Sequence, residues 1–496
     1  MIPPSLRRMS LTNDVPYGIL AIQKCARICC PRNRCQKVIL YKISVLFLTY
    51  LSYTCYHMSR KPISVVKSVL NDNCTNGTST HCGYAPFNTP DGPKLFGEMD
   101  SAFLFTYALA MFASGFIAER VSLRYYLCFG MILSGLFQYL FGLAKILNIH
   151  NMTYFLLIQI FGGIVQTTGW PGVVTLVGRW FGKSKRGLVF GIWNSHTSIG
   201  NILGTLIAAK YVESDWSLSF IVPAIIICIG GGIMFLFLAE SPESVGLQLD
   251  RPYSYERIND SDVEDDRNRN ESSESAQLLQ QRPSISIIDA LHIPGVIEFS
   301  FCLFFSKLVS YTFLYWLPLY IENSSTLGAE VSAILSTTFD VGGIIGAIAA
   351  GGISDKTGMP ATVCMVMLLV ASPVLLLYQA FGSASMEISI VLLILGGIMV
   401  NGPYALITTA VSAELGTHST VEGNAKALAT VTAIIDGTGS IGAAVGPLLA
   451  GVFCTGGWQQ VFHMLIMALT CAMILLIRLV AKECINLRRN SRTRSE

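Results

Sequence analysis

The residues of this chain best suited to chemistry are cations set inside apolar sequence. Tyr53, Tyr56, His57, Arg60, Lys61, Ser64 and Lys67 stand in the first long apolar run. Helical spacing places Tyr53, Tyr56, His57, Arg60, Ser64 and Lys67 broadly along one face, and no acid lies near them in the sequence. A guanidinium grips a phosphoryl group through two parallel hydrogen bonds, and an ammonium adds a compact point charge. The pattern therefore suits a phosphorylated anion, with contact to lipid headgroups as the plainer alternative. A second cation, Lys307, stands one turn before Tyr311 in another apolar run. It either faces the first cluster across a central site or pairs structurally with Asp340.

Ionisable side chains are costly in hydrocarbon, so the elements that position these residues must be membrane spans. Of 496 residues, 52% are hydrophobic and 13% charged, and the mean hydropathy is +0.53. A helix needs roughly 20 apolar residues to cross a bilayer, and this chain has enough for about a dozen crossings. The expected spans are 41–70, 99–118, 124–144, 153–177, 188–209, 219–238, 295–321, 328–352, 361–381, 387–412, 424–453 and 459–480. The expected fold class is thus an all-α membrane protein of twelve transmembrane helices in two six-helix bundles. The bundles occupy 41–238 and 292–481, between a basic segment at 1–40 and a basic tail at 482–496. A linker at 239–291 separates them, rich in Ser, Asn and acids such as Asp260 and Glu264; such a composition cannot bury a core.

Lys and Arg gather on the cytosolic side of spanning proteins. With a cytosolic N-terminus, 27 of the 34 fall on that side, so both termini are expected there. No cleavable leader is expected at the start. The glycan acceptors Asn73, Asn76, Asn151 and Asn323 then face the lumen, whereas Asn259 and Asn270 lie in the cytosolic linker. Cys74 and Cys82 share the first lumenal loop, where a disulfide is possible. No zinc-ligand spacing appears among the fourteen cysteines, so neither a metal nor a cofactor is expected. A net charge of +3 is too small to argue for nucleic acid. The bilayer is the implied surroundings, and nothing in the chain identifies a protein partner.

Two strings recur between the halves. Gly115 to Arg120 ends in Glu119-Arg120, and Gly351 to Lys356, 236 residues later, ends in Asp355-Lys356. Ser198-Ile-Gly200-x-x-x-Gly204 returns as Ser440-Ile-Gly442-x-x-x-Gly446, 242 residues later. Small residues four apart let helices approach closely in lipid. A duplicated six-span unit with an acidic-basic turn resembles the major facilitator superfamily, in which two bundles rock about a central site.

A narrower resemblance follows from Arg186-Gly187-x-x-x-x-x-Trp193-Asn194, which is similar to the signature of the organophosphate:phosphate antiporters. Gly169-Trp170-Pro171, Arg60-Lys61, Trp316-x-Pro318, Gly402-Pro403 and Glu414-Leu415 are similar to that family as well. Over roughly 40–480 the chain looks most like the animal sugar-phosphate exchangers, solute carrier family 37, and its first two members in particular. The resemblance implies exchange of a sugar phosphate, glucose 6-phosphate foremost, for inorganic phosphate, and no enzymatic activity. It makes Arg60 the principal phosphate ligand, with Lys61 and Lys307 beside it. Asn194, His196, Tyr311 and Trp170 would orient the sugar, His57 and Tyr56 would border the site, and Asp340 and Asp436 would serve coupling or gating. The chain departs from the bacterial members at three places: Ser310 stands where they have a second Arg, Thr197 where they have the signature His, and Met111 where they have a Lys.

Rival readings are a proton-coupled organic-anion carrier, with Asp340, Asp436 or His196 as proton site, and a receptor that binds phosphorylated ligands without moving them. No catalytic constellation supports an enzyme. The endoplasmic reticulum membrane is the compartment that the resemblance implies. Glu274-Ser-Ala-Gln-Leu278-Leu279 has the form of a sorting signal that would instead direct the chain to endolysosomes. Cys25, Cys29, Cys30 and Cys35 lie among basic residues in a setting compatible with palmitoylation.

Overall fold

A computed structural model describes residues 15–21, 34–71, 83–118, 120–181, 192–247, 287–415 and 425–493. The N-terminal half contains α1 (Arg34–Arg60), α2 (Pro62–Leu70), α3 (Gly92–Ala118), α4 (Leu123–Ile146), α5 (Met152–Gln166), α6 (Gly169–Phe181), α7 (His196–Val212) and α8 (Trp216–Phe237). The C-terminal half contains α9 (Val296–Ser324), α10 (Ala329–Thr357), α11 (Pro360–Phe381), α12 (Met386–Leu406), α13 (Ala425–Phe453) and α14 (Trp458–Thr493). The first and fourth crossings are each broken in two, so these fourteen helices make twelve crossings. Ten of the crossings are long and apolar enough to span by length and composition. The others are α3, whose first turns carry Lys94, Glu98 and Asp100, and the 17-residue α7.

Boundaries differ from the sequence expectation where polar residues begin or prolong a helix. The first crossing starts at Arg34 rather than near 41, and the second at Gly92 rather than 99. The last helix runs unbroken to Thr493, so no structural break marks the tail expected from 482. On the outer faces of the helices Ile229, Leu369, Met467 and Ile474 are more than half exposed, as side chains facing lipid would be.

Prolines explain the breaks and much of the polar wiring. A proline has no N–H to give the carbonyl four residues earlier, and in hydrocarbon that oxygen must find another donor. Pro62 leaves the Met58 carbonyl, and the chain kinks at Lys61, whose N–H makes a long 3.4 Å bond to it. Pro171 leaves the Thr167 carbonyl, which accepts from Ser114 Oγ at 2.7 Å. Pro318 leaves the Leu314 carbonyl, which accepts from Lys61 Nζ at 2.8 Å, reaching across from the other half.

The repeated glycines pack as their spacing implies. A Cβ at Gly200 or Gly204 would overlap the Thr54 or Met58 carbonyl oxygen of α1, and one at Gly442 or Gly446 would overlap the Phe304 or Leu308 carbonyl oxygen of α9. The duplicated helix thus lies backbone to backbone on the first helix of each half. Matching Thr54 to Phe304 and Met58 to Leu308 gives a shift that carries His57 onto Lys307 and Arg60 onto Ser310.

On the side of the molecule away from the termini the halves are stitched together. Ser101 Oγ donates to the Ala444 carbonyl at 3.1 Å, Lys67 Nζ to the Tyr315 carbonyl at 3.0 Å, and the Glu330 N–H to Glu213 at 3.2 Å. Gly97 and Gly451 meet there with no side chain between them. This seal closes one end of the space between the bundles.

Candidate functional site

Between the seal and the terminus side lies a central cavity with two lobes. The first is lined by His57, Asn194, Asn201, Tyr311, Asp340 and Asn401 among others. The second takes in Tyr53, Tyr107, Trp170, Lys307, Tyr404 and Asp436. His57, Asn194, Thr197, Tyr311 and Tyr404 border both. Both halves therefore contribute to one chamber whose walls are aromatic and rich in amide, hydroxyl and ionisable groups.

Arg60 sits just behind this wall, 7% exposed. Its Nε donates to Gln166 Oε1 at 2.5 Å, and Gln166 in turn donates to Ser59 Oγ at 3.0 Å. The guanidinium lies over the Tyr107 ring at 4.7 Å and near Phe103 at 5.9 Å. Its Nη2 is buried without a hydrogen-bond partner, and among the described residues no carboxylate forms an ion pair with it. A buried cation left with spare donors is set to accept an anion.

Lys307 enters from α9 and is bonded to Asp436 of α13, Nζ to Oδ1 at 2.7 Å. Of the two readings of Lys307, the structural pairing with Asp340 is thereby set aside, since Asp436 is its partner. Gly439 lets the Lys307 chain lie against α13, and the duplicated α9–α13 packing puts Asp436 within reach. Asp340 instead accepts from Asn201 Nδ2 at 2.9 Å, and Asn201 Oδ1 meets His57 Nδ1 at 3.2 Å. His57, Asn201 and Asp340 thus form a polar chain that crosses from one half to the other.

Several other expected site residues lie elsewhere. Lys61 is 3% exposed and spent on the Leu314 carbonyl in the seal, so it does not face the cavity. Tyr56 is fully buried within the N-terminal half and bonded to Thr168 at 2.8 Å. His196 is fully buried in a box of Tyr50, Tyr53 and Trp193, with ring centroids 4.5 to 5.7 Å away. Its ring points into α1 rather than toward substrate space. Lys67 does have an acid, contrary to the sequence reading: Asp100 of α3 pairs with it at 2.5 Å, both fully buried, with the Trp316 ring 4.2 Å from the ammonium.

Asn151 caps α5, accepting from the Thr153 N–H at 2.9 Å. It and Asn323 are exposed at the end away from the termini. Asn73, Asn76, Asn259, Asn270, Cys25, Cys29, Cys30, Cys74, Cys82, Arg186, Gly187 and the Glu274 to Leu279 motif lie outside the described residues, and Cys35 falls in the first turn of α1.

Sequence reasoning missed Gln166, Asn201 and Asn401. Isolated amides inside apolar spans were the available signal. Asn401 accepts from Ser310 Oγ at 2.6 Å, next to the position where symmetry would put a second Arg. It missed Tyr107 and Tyr404 as well, because tyrosines are common in spans without function.

Residues 49–425 match the Major Facilitator Superfamily. The chain is 56% identical over 460 residues to the glucose-6-phosphate exchanger SLC37A2 of Mus musculus, covering 88% of this chain and 92% of that protein. It is 47% identical to SLC37A1 of Mus musculus, over 89% and 93% of the two chains. Identity is also 47% to a putative glycerol-3-phosphate transporter of Arabidopsis thaliana, over 89% and 92%. Among solved structures, a bacterial homolog of the human lysosomal transporter Spinster, inward-facing and occupied, superposes with a TM-score of 0.59 at 16% identity. That match covers 90% of this chain and 97% of the other. A D-xylose-proton symporter gives 0.60 at 11% identity, covering 89% and 98%. The two pseudosymmetric bundles around a sealed central cavity are therefore those of the major facilitator superfamily, and the chain belongs to that superfamily's solute carrier family 37.

Proposed function

We propose that this protein exchanges a sugar phosphate, glucose 6-phosphate foremost, for inorganic phosphate by alternating access at the central cavity. The observation that carries the reading is Arg60, buried behind the cavity wall with a free Nη2 and, among the described residues, no ion-pair partner. SLC37A2 proteins of several vertebrates, 52% to 56% identical to the chain, are named glucose-6-phosphate exchangers. Arg60 takes the phosphoryl group from the N-terminal half. Lys307 takes it from the C-terminal half once drawn from Asp436, and Asn194, Tyr311 and Trp170 border the sugar. Lys61 acts in the seal, and Asp340 holds the amide that faces His57. An empty cavity leaves the Arg60 charge uncompensated in a low-dielectric setting, so the loaded carrier reorients more readily than the empty one. That asymmetry produces obligate exchange.

The membrane is that of the endoplasmic reticulum, with both termini and the 239–291 linker cytosolic and glycans on the opposite face. In this orientation the seal is lumenal and the structure is the inward-facing state. The test is uptake of radiolabelled phosphate into proteoliposomes preloaded with phosphate, with glucose 6-phosphate or with nothing. Uptake that needs an internal phosphate or sugar phosphate is the expected result. Uptake driven by a pH gradient without a counter-substrate would select a proton-coupled carrier, and binding without flux a receptor.

A further inference from the structure

We propose that His57 is the hydroxyl acceptor that recognises the sugar, and that Asn201 is the positioning residue that gives it this role. The proposal rests on the exchange of sugar phosphate for phosphate. An ionised carboxylate only accepts hydrogen bonds, so the Asn201 group 2.9 Å from Asp340 Oδ1 is the amide NH₂. The amide is thereby oriented, and its oxygen is the atom 3.2 Å from His57 Nδ1. An oxygen can only accept there, so Nδ1 carries the ring hydrogen. In the neutral imidazole, the prevailing form at neutral pH, Nε2 then holds a lone pair and no hydrogen.

His57 borders both lobes of the cavity. Phosphoryl oxygens seek donors, which Arg60 and Lys307 supply, and a lone pair repels them. What the lone pair can take is the hydrogen of a sugar hydroxyl. The two carboxylates of the lining are each held by a donor of their own, Asp436 by Lys307 at 2.7 Å and Asp340 by Asn201 at 2.9 Å, whereas His57 offers an uncharged acceptor beside them. Asp340 thus lies two hydrogen bonds from His57 and acts from the opposite half, through Asn201, on the face His57 presents. A site built to bond a hydroxyl discriminates strongly against analogues that lack it.

The test is competition against labelled-phosphate homoexchange in proteoliposomes, using glucose 6-phosphate and its monodeoxy analogues. With the unaltered protein, at least one analogue should compete about tenfold more weakly than glucose 6-phosphate. Asn201→Leu keeps the branched shape but removes the hydrogen bond that orients the ring. It should raise the half-saturating concentration of glucose 6-phosphate by about tenfold, move that of phosphate by less than about twofold, and level the analogues. A merely structural role would weaken both substrates together, and that result would overturn the proposal. So would a panel in which glucose 6-phosphate competes and every monodeoxy analogue matches it, a measurement that needs no variant to fold. Failure of glucose 6-phosphate to compete at all would refute the exchange reading itself.

Discussion

Lys307 Nζ and Asp436 Oδ1 lie 2.7 Å apart, so the cation of the C-terminal half is neutralised within its own half, whereas Arg60 across the cavity has no ion-pair partner among the described residues. The two cations proposed to hold phosphate are therefore unequal. Arg60 keeps a free Nη2, and Lys307 would have to leave the acid that holds it.

This pairing makes a double substitution informative. Lys307→Ala should cost about tenfold or more in exchange of phosphate and sugar phosphate alike, the effect of one lost charge-assisted bond. It should also lower stability by leaving Asp436 buried alone. Lys307→Ala with Asp436→Ala should recover thermal stability of the purified protein without recovering transport. Restored transport in the same liposome assay would show the pair to be structural only.

Arg60→Ala should abolish exchange while leaving the protein folded and inserted, since no described acid is stranded by its loss. Gln166 and Ser59 can still bond one another. Arg60→Lys should also fail, because an ammonium lacks the planar fork. Near-normal uptake by correctly inserted Arg60→Ala would remove the central assignment.

Pro318→Ala would return an N–H to the Leu314 carbonyl and compete with Lys61 for it. The seal should loosen and the populations shift toward the opposite-facing state. Alkylation of a cysteine placed at Ser101, which is buried in the seal, should become faster than in the same variant with Pro318 kept. Unchanged labelling would show that the Lys61 contact contributes nothing to closure.

Gly204→Val and Gly446→Val should each destabilise the protein by about 1–3 kcal/mol or prevent folding, because overpacking displaces a helix backbone. The added Cβ meets the carbonyl of Met58 or Leu308. Thermal unfolding in detergent is the measurement, with Gly232→Val, where nothing lies within 4 Å of the added carbon, as the tolerated control.

Asn151→Gln or Asn323→Gln should remove glycosidase-sensitive mass if the face away from the termini is lumenal. Both side chains are exposed there, and Asn259→Gln or Asn270→Gln should change nothing. A glycan on the linker would invert the orientation.

The crossings, the duplicated glycine string and the burial of Arg60 and Lys307 as cations within spans were legible because each depends on local composition or on one helix face. What spacing along one helix cannot show is which other helix lies opposite. Lys67 and Asp100 are 33 residues apart and Lys307 and Asp436 are 129 apart, so their pairing depends on helix order rather than on pattern. Lys61 misled for a related reason. Next to Arg60 in sequence it reads as a second ligand, yet the kink before Pro62 turns it toward α9. His196 misled because a histidine near a signature motif resembles a ligand until three aromatic rings are found around it.

The latch made by Lys61 and Lys67 grips main-chain oxygens of residues 314 and 315 rather than side chains. Substitution at either position can therefore alter the shape and polarity of the neighbouring wall while the latch remains intact. Position 318, which frees the Leu314 oxygen, the two lysines and Asp100 beside Lys67 are what it holds fixed. The gate and the lining of the chamber can thus diversify separately, so relatives that carry different sugar phosphates can share one closing device.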